Sequence, residues 1–202
     1  MTETVRRVRI ALVDSGVEPS HPGVRGRAVL RGDAAALRDE LGHGTQMAAA
    51  ILAQCQDLEL CVVRVLDELD HCEPERLLRG IDDALEFAPD LVNVSLGVTG
   101  PAWRAAFAEL VARATARGTR LVAPAALAGM PCWPGAHEGV ESVVADPNVP
   151  RVLPVQRVVH ARRLWFASPT APSLGALPAP RARGESLATA NVTGFLASLR
   201  SR

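Results

Sequence analysis

Short runs of valine, isoleucine and leucine alternate along this chain with longer stretches rich in alanine, leucine and arginine that repeat at helical period. No other feature constrains the fold as much. Strands buried on both faces read as near-continuous apolar runs, and parallel strands need a crossover helix between them. The runs predict strands over 8–13, 60–65, 91–94, 120–123 and 142–144. Helices are expected over 45–54, 73–87 and 101–117, the last of these with Pro101 at its start and Gly118 just past its end. A final helix is expected over 186–199. The fold class is therefore α/β, a three-layer αβα arrangement around a mostly parallel sheet.

At 202 residues, with 48% of them apolar, the chain suits a single domain spanning 1–202. Residues 147–183 stand apart, because proline at 147, 150, 154, 169, 172, 178 and 180 forbids long regular elements. They read as an irregular connector with room for an edge strand at 157–160, and 172–184 is expected to be a mobile loop.

Charge and composition exclude several function classes. Basic and acidic side chains balance at 22 each and aromatics make up 3%, so neither the electrostatics nor the stacking surface of a nucleic-acid binder is present. Every basic residue except histidine is arginine, which reads first as codon bias. The apolar run after the N-terminal arginines is too short for a signal-peptide core, and no stretch is long enough to span a bilayer, so a cytoplasmic protein without a membrane partner is expected. Cys55, Cys61, Cys72 and Cys132 show neither metal nor redox spacing and read as reduced, mostly buried thiols. No cofactor is expected, and no residue pattern indicates calcium.

In an open α/β sheet, functional groups collect where strands end and the following helices begin. Asp14 ends the first strand, His43 opens a helix and Ser186 opens the last one, so three distant polar residues fall on one edge. Gly16, Gly42, Gly44 and Gly184 allow sharp turns beside them. The residue types assign roles: a serine hydroxyl needs a base to take its proton, histidine serves as that base, and a carboxylate orients the imidazole. Taken singly, Asp14 reads equally as a turn residue and Ser186 as a helix cap.

The segments DSG around Asp14, GHGT around His43 and GESLATANVTG around Ser186 resemble the three signature blocks of the subtilisin-like serine peptidases. VRVLD at 63–67 and VNVSLG, ending at Ser95, Leu96 and Gly97, resemble that family's strand after the histidine helix and its substrate-lining strand. The resemblance implies a catalytic Asp14, His43 and Ser186, a substrate-binding Ser95, Leu96 and Gly97, and an oxyanion site that uses the Ser186 backbone N–H together with an asparagine side chain.

That asparagine is missing. The alignment implied by LVAPAALAG puts Leu127 at its position, and leucine donates no hydrogen bond. Gln46, His137 or a loop N–H would have to replace it. The serine block departs as well, with Glu185 for threonine, Ala190 for proline and Asn191 for histidine. No prodomain is recognisable, so the resemblance implies either unaided folding or a partner protein in that role. Arg162 and Arg163, with Arg181 and Arg183 near the nucleophile, read as a solvated face or as selectors of an acidic peptide.

Two functions follow as expectations. The first is a serine endopeptidase acting on a peptide or protein substrate through an acyl-enzyme, trimming one precursor peptide such as that of a ribosomally made natural product. The alternative is a pseudopeptidase that keeps the cleft as a peptide-binding or structural partner. An esterase is a lesser third.

Overall fold

The computed structural model describes residues 6–67, 69–172 and 184–201. Its main sheet holds eight strands: β1 Arg9–Asp14, β2 Ala28–Arg31, β3 Leu58–Arg64, β4 Leu91–Val94, β6 Arg120–Pro124, β9 Glu141–Ala145, β10 Val155–Val159 and β11 Arg162–Ala167. Their spatial order is β10-β11-β9-β6-β4-β1-β3-β2, parallel throughout except for the β10–β11 hairpin. A small antiparallel sheet orders β5 Val98–Thr99, β8 Met130–Trp133 and β7 Ala126–Leu127 as β5-β8-β7. Four α-helices complete the fold: α1 His43–Leu52, α2 Pro74–Glu86, α3 Arg104–Ala116 and α4 Gly184–Ser198.

Alternation along the central strands divides the core in two. Ile10 and Leu12 of β1 pack with Met47, Ile51, Leu187 and Val192 on the α1–α4 face. Ala11 and Val13 pack with Leu77, Ile81, Phe107 and Leu110 on the α2–α3 face. A two-residue strand period sends successive side chains to opposite layers, and a strand covered on both sides must be apolar at nearly every position. α2 shows the complementary helical logic: Pro74 starts it, Glu75 sits in its first turn, and Leu77, Ile81, Ala84 and Leu85 are buried along one stripe.

The expected α/β class, the five strands and the four helices are all present. The segment read as an irregular connector is more ordered than expected, since β10 and β11 add two strands to the sheet, the second pairing in parallel with β9. Prolines 150, 154 and 169 fall just outside these strands rather than within them, which is why the hairpin survives their number. Of the expected mobile loop, 173–183 lies outside the described residues, as do Arg181 and Arg183.

α1 and α4 bring the candidate residues together, and they pack closely. Gln54, just past α1, donates from Nε2 to the Asn191 carbonyl of α4 at 2.7 Å. At Gly194 the two backbones touch, so that a Cβ there would lie 2.8 Å from the Ile51 carbonyl oxygen and 3.0 Å from Ile51 Cα. Alanine is the better helix former by about 1 kcal/mol. Even so, Gly194→Ala is expected to lower the unfolding free energy by about 1–3 kcal/mol, because the added methyl overpacks the helix contact. Urea titration checks this, and an unchanged or raised midpoint would refute so close a packing.

Candidate active site

Asp14 is the last residue of the central strand and is fully buried. Its Oδ1 accepts the Ser15 backbone N–H at 2.8 Å and the His43 Nδ1–H at 2.6 Å. A carboxylate can only accept, so this bond fixes the tautomer of a neutral His43 and leaves Nε2 free to take a proton. The approach of α1 to Asp14 depends on Gly44, where a Cβ would lie 2.1 Å from the Gly16 carbonyl oxygen.

α1 begins at His43 behind Gly42, an N-cap residue that has no side chain to bond the orphan N–H groups of the first turn. Asp39 does it from outside the helix. Its carboxylate accepts the backbone N–H groups of Gly42 and Thr45 at 2.8 Å each, the Thr45 hydroxyl at 2.5 Å and the Ser15 hydroxyl at 2.8 Å. Ser15 Oγ in turn accepts the Gly44 N–H at 2.9 Å. One carboxylate thus ties the turn after Asp14 to the helix start that carries His43, with its charge at the favourable end of the helix dipole. Sequence reasoning missed it, although an aspartate three residues before Gly42 is itself a capping signal.

Burial alone would push the His43 imidazole toward lower pKa. The charge of Asp14, its hydrogen bond, and the more distant Asp70 and Asp39 carboxylates outweigh burial, and the net shift is upward.

Ser186 lies in the first turn of α4 and is buried. Its hydroxyl donates to the Ser95 carbonyl at 3.1 Å rather than to His43. A buried chain of bonds holds this corner: Thr193 Oγ1 donates to Asn93 Oδ1 and Asn93 Nδ2 donates to Ser95 Oγ, each at 2.8 Å, and Ser95 Oγ reaches the Ser186 carbonyl at 3.4 Å. The start of α4 is thereby fixed to the end of β4.

His43 and Ser186 open into one cavity of about 200 Å³. Ser95, Leu96 and Gly97 form part of its wall, and Leu127 forms another. The Leu127 side chain has no donor to give, and neither Gln46 nor His137 lines this cavity. Asp70 and Glu185 put two carboxylates on the wall. Asn191 does a structural job, its Nδ2 donating to the carbonyls of Ser168 and Thr170 at 3.0 and 3.1 Å. The four cysteines are free, and burial pushes the Cys72 and Cys132 thiols up to about 11 and about 12, too high for useful thiolate at neutral pH. Arg162 and Arg163 lie away from this cavity, on β11.

The profile of the subtilase family matches residues 6–126. This chain belongs to the subtilase family. The match includes Asp14 and His43 and stops short of Ser186. Subtilisin E of Bacillus subtilis (strain 168) is 31% identical over 134 residues, covering 60% of this chain and 35% of its own. An intracellular serine protease of Paenibacillus polymyxa is 27% identical over 109 residues, covering 46% and 33%. The chain spans about a third of the length of these curated relatives. Among the solved structures that share its fold are two that cover 95% of the chain. A lanthipeptide protease has a TM-score of 0.73 at 20% identity over 72% of that chain, and the patellamide maturation protease PatA has 0.71 at 24% over 77%.

Two outcomes test this subtilase site. NMR titration of the His43 imidazole in Ser186→Ala protein should give a midpoint above the ordinary ~6.5. Asp14→Asn should lower that midpoint, and Asp70→Asn should lower it less. A parent midpoint below the ordinary value refutes the electrostatic balance. Asp39→Ala should cost about 1–3 kcal/mol of unfolding free energy, because two backbone N–H groups lose their acceptor. Asp39→Asn, which keeps one acceptor, should cost less.

Proposed function

We propose that this chain is a serine endopeptidase that cuts peptide bonds through an acyl-enzyme and trims a specific precursor peptide. The observation that carries the proposal is the Asp14–His43 bond of 2.6 Å opening onto the same cavity as Ser186. In this reading the Ser186 hydroxyl turns from the Ser95 carbonyl toward His43 Nε2, which takes its proton as Oγ attacks the substrate carbonyl. Asp14 holds the imidazolium that forms. The same imidazolium then gives its proton to the leaving amine, and water, deprotonated by His43, releases the acyl group. The substrate backbone would run along Ser95, Leu96 and Gly97. The maturation task draws support from the fold shared with the patellamide maturation protease. Among the described residues no helix is long and apolar enough to cross a membrane.

A second reading, a pseudopeptidase that binds peptide without cutting it, draws on three observations. The Leu127 side chain offers the cavity no donor, Glu185 places a carboxylate beside the nucleophile, and the Ser186 hydroxyl points to a backbone carbonyl. Losing one preorganised oxyanion donor costs on the order of 100- to 1000-fold in kcat and leaves the rest of catalysis standing. The endopeptidase is therefore proposed as slow.

A fluorophosphonate should label wild-type protein at Ser186, label Ser186→Ala not at all, and label His43→Ala more slowly. No labelling of folded protein between neutral and alkaline pH would refute the endopeptidase and leave the binding role. Because His43 holds its proton above the usual value, the labelling rate should rise with pH through a midpoint above ~6.5. Leu127→Asn should raise kcat on a peptide substrate, on the order of 100-fold if its amide reaches the oxyanion.

A further inference from the structure

A second and larger hollow lies across the small sheet from the catalytic cavity. It is an open groove of about 830 Å³ between α3 and the turn that follows β8. Ala108, Ala112 and Ala116, spaced four apart and so stacked on one helical face, form one wall. Trp133 and His137 form another, with ring centroids 4.5 Å apart. A neighbouring hollow of about 450 Å³ shares His137 and Arg162 and adds Arg163. A small-residue helix face opposite an aromatic pair suits an extended peptide, whose backbone can come close to the alanines.

The groove is cationic. Arg104 stands 5.8 Å from the centre of the Trp133 ring, and Arg162 reaches the Gly135 carbonyl at 3.3 Å and Ser142 Oγ at 3.2 Å. Farther along α3 and just past its end, arginine is held by a carboxylate, as Arg113 is by Asp82 and Arg117 by Glu86. Among the described residues Arg104, Arg162 and Arg163 make no such pair. Of the two carboxylates nearby, Glu141 is already bound by Arg120 and by Trp165 Nε1, which leaves Glu138 against three guanidinium groups. The first turn of α3 carries no acidic residue, so the positive end of its dipole adds to Arg104. Burial first, then the charges of Arg104 and Arg162, hold the His137 imidazole below its usual value against the opposing effect of a hydrogen bond to the Arg104 backbone. Two guanidinium groups therefore act on one point in the groove.

The groove also adjoins the catalytic cavity. Val98 lines that cavity and pairs across β5 and β8 with Trp133, which lines the groove. A chain leaving the cavity past Val98 crosses one strand, roughly 5 Å, to reach it.

We infer that this groove docks an acidic stretch of the peptide substrate, outside the cavity that holds the bond to be cut. The inference rests on the peptidase reading for the identity of that peptide. Carboxylates would meet Arg104, Arg162 and Arg163, and the aliphatic parts of the peptide would lie between the α3 alanines and Trp133. Charge decides the occupant, since a neutral or basic peptide would leave three guanidinium groups without a partner.

Fluorescein-labelled octaglutamate, followed by polarisation on Ser186→Ala protein, is the probe. Binding is expected, weakening as salt rises. Arg104→Glu and Arg163→Glu should each weaken it about 5-fold or more, and the pair at least ~10-fold. Among the described residues neither side chain makes a hydrogen bond, so circular dichroism should report an intact fold. Arg79→Glu, on the exposed face of α2, should change nothing. Equal binding of octaarginine, indifference to the two reversals, or self-association of the protein through this face in sedimentation would each overturn the inference. Fluorophosphonate labelling of wild type separates it from the reading beneath it. Labelling without octaglutamate binding overturns the docking groove alone, whereas binding without labelling overturns the peptidase alone.

Discussion

A fully buried carboxylate at the end of the central strand is the constraint around which this fold is arranged. Removing an ionised Asp14 from water costs several kcal/mol unless hydrogen bonds and an opposite partial charge replace the solvent. The Ser15 N–H and the His43 imidazole supply that replacement at Oδ1, while Oδ2 is buried with no partner among the described residues. Neither donor is free to stand elsewhere. The Ser15 hydroxyl is held by Asp39, Asp39 grips the first turn of α1, and the glycine at 44 lets that turn lie against the strand end. The apolar strand β1 can end in a charge only because the chain returns 25 to 31 residues later with the groups that accommodate it.

The other half of the site is held by neutral hydrogen bonds. Thr193, Asn93, Ser95 and Ser186 form a buried relay that fixes α4 to β4, every member being satisfied by the next. One side of the cavity is thus set by a charge that must be paired and the other by a network that must be complete. The helices that carry the two sides touch backbone to backbone at Gly194. A change in that contact moves the base relative to the hydroxyl without altering either group.

Much of this was legible in the sequence, for identifiable reasons. β1, β4 and β6 are buried on both faces and so had to be written in apolar residues, while β3 and β9, with half-buried positions among the buried ones, still keep a valine-rich run. Asp14, His43 and Ser186 stood out because they fall at a strand end and two helix starts, in blocks that resemble the subtilases, and Ser95, Leu96, Gly97 and Leu127 came with the same resemblance. What stayed hidden lacks a local signal. β5 and β7 have two residues each, too few for any periodicity, and β2 is a partly exposed edge strand. The β10–β11 hairpin was obscured by proline density, although the prolines bracket the strands. Asp39 and the arginine groove are products of convergence: Asp39 meets Ser15 across 24 residues, and Arg104 and Arg162 face one hollow from distant elements.

The strand order also carries a consequence for the chain as it is being made. Asp14 and His43 meet through β1 and α1, which precede every other helix of the described residues, while Ser186 sits on α4 and reaches them by packing onto α1 and the strands β4, β6, β9 and β11. α4 is buried along most of its length and has no groove to enter until the sheet behind it has closed. A nascent chain therefore holds the carboxylate and the base long before it holds the hydroxyl. In the peptidase reading, cutting is withheld from the growing polypeptide until that one helix is in place.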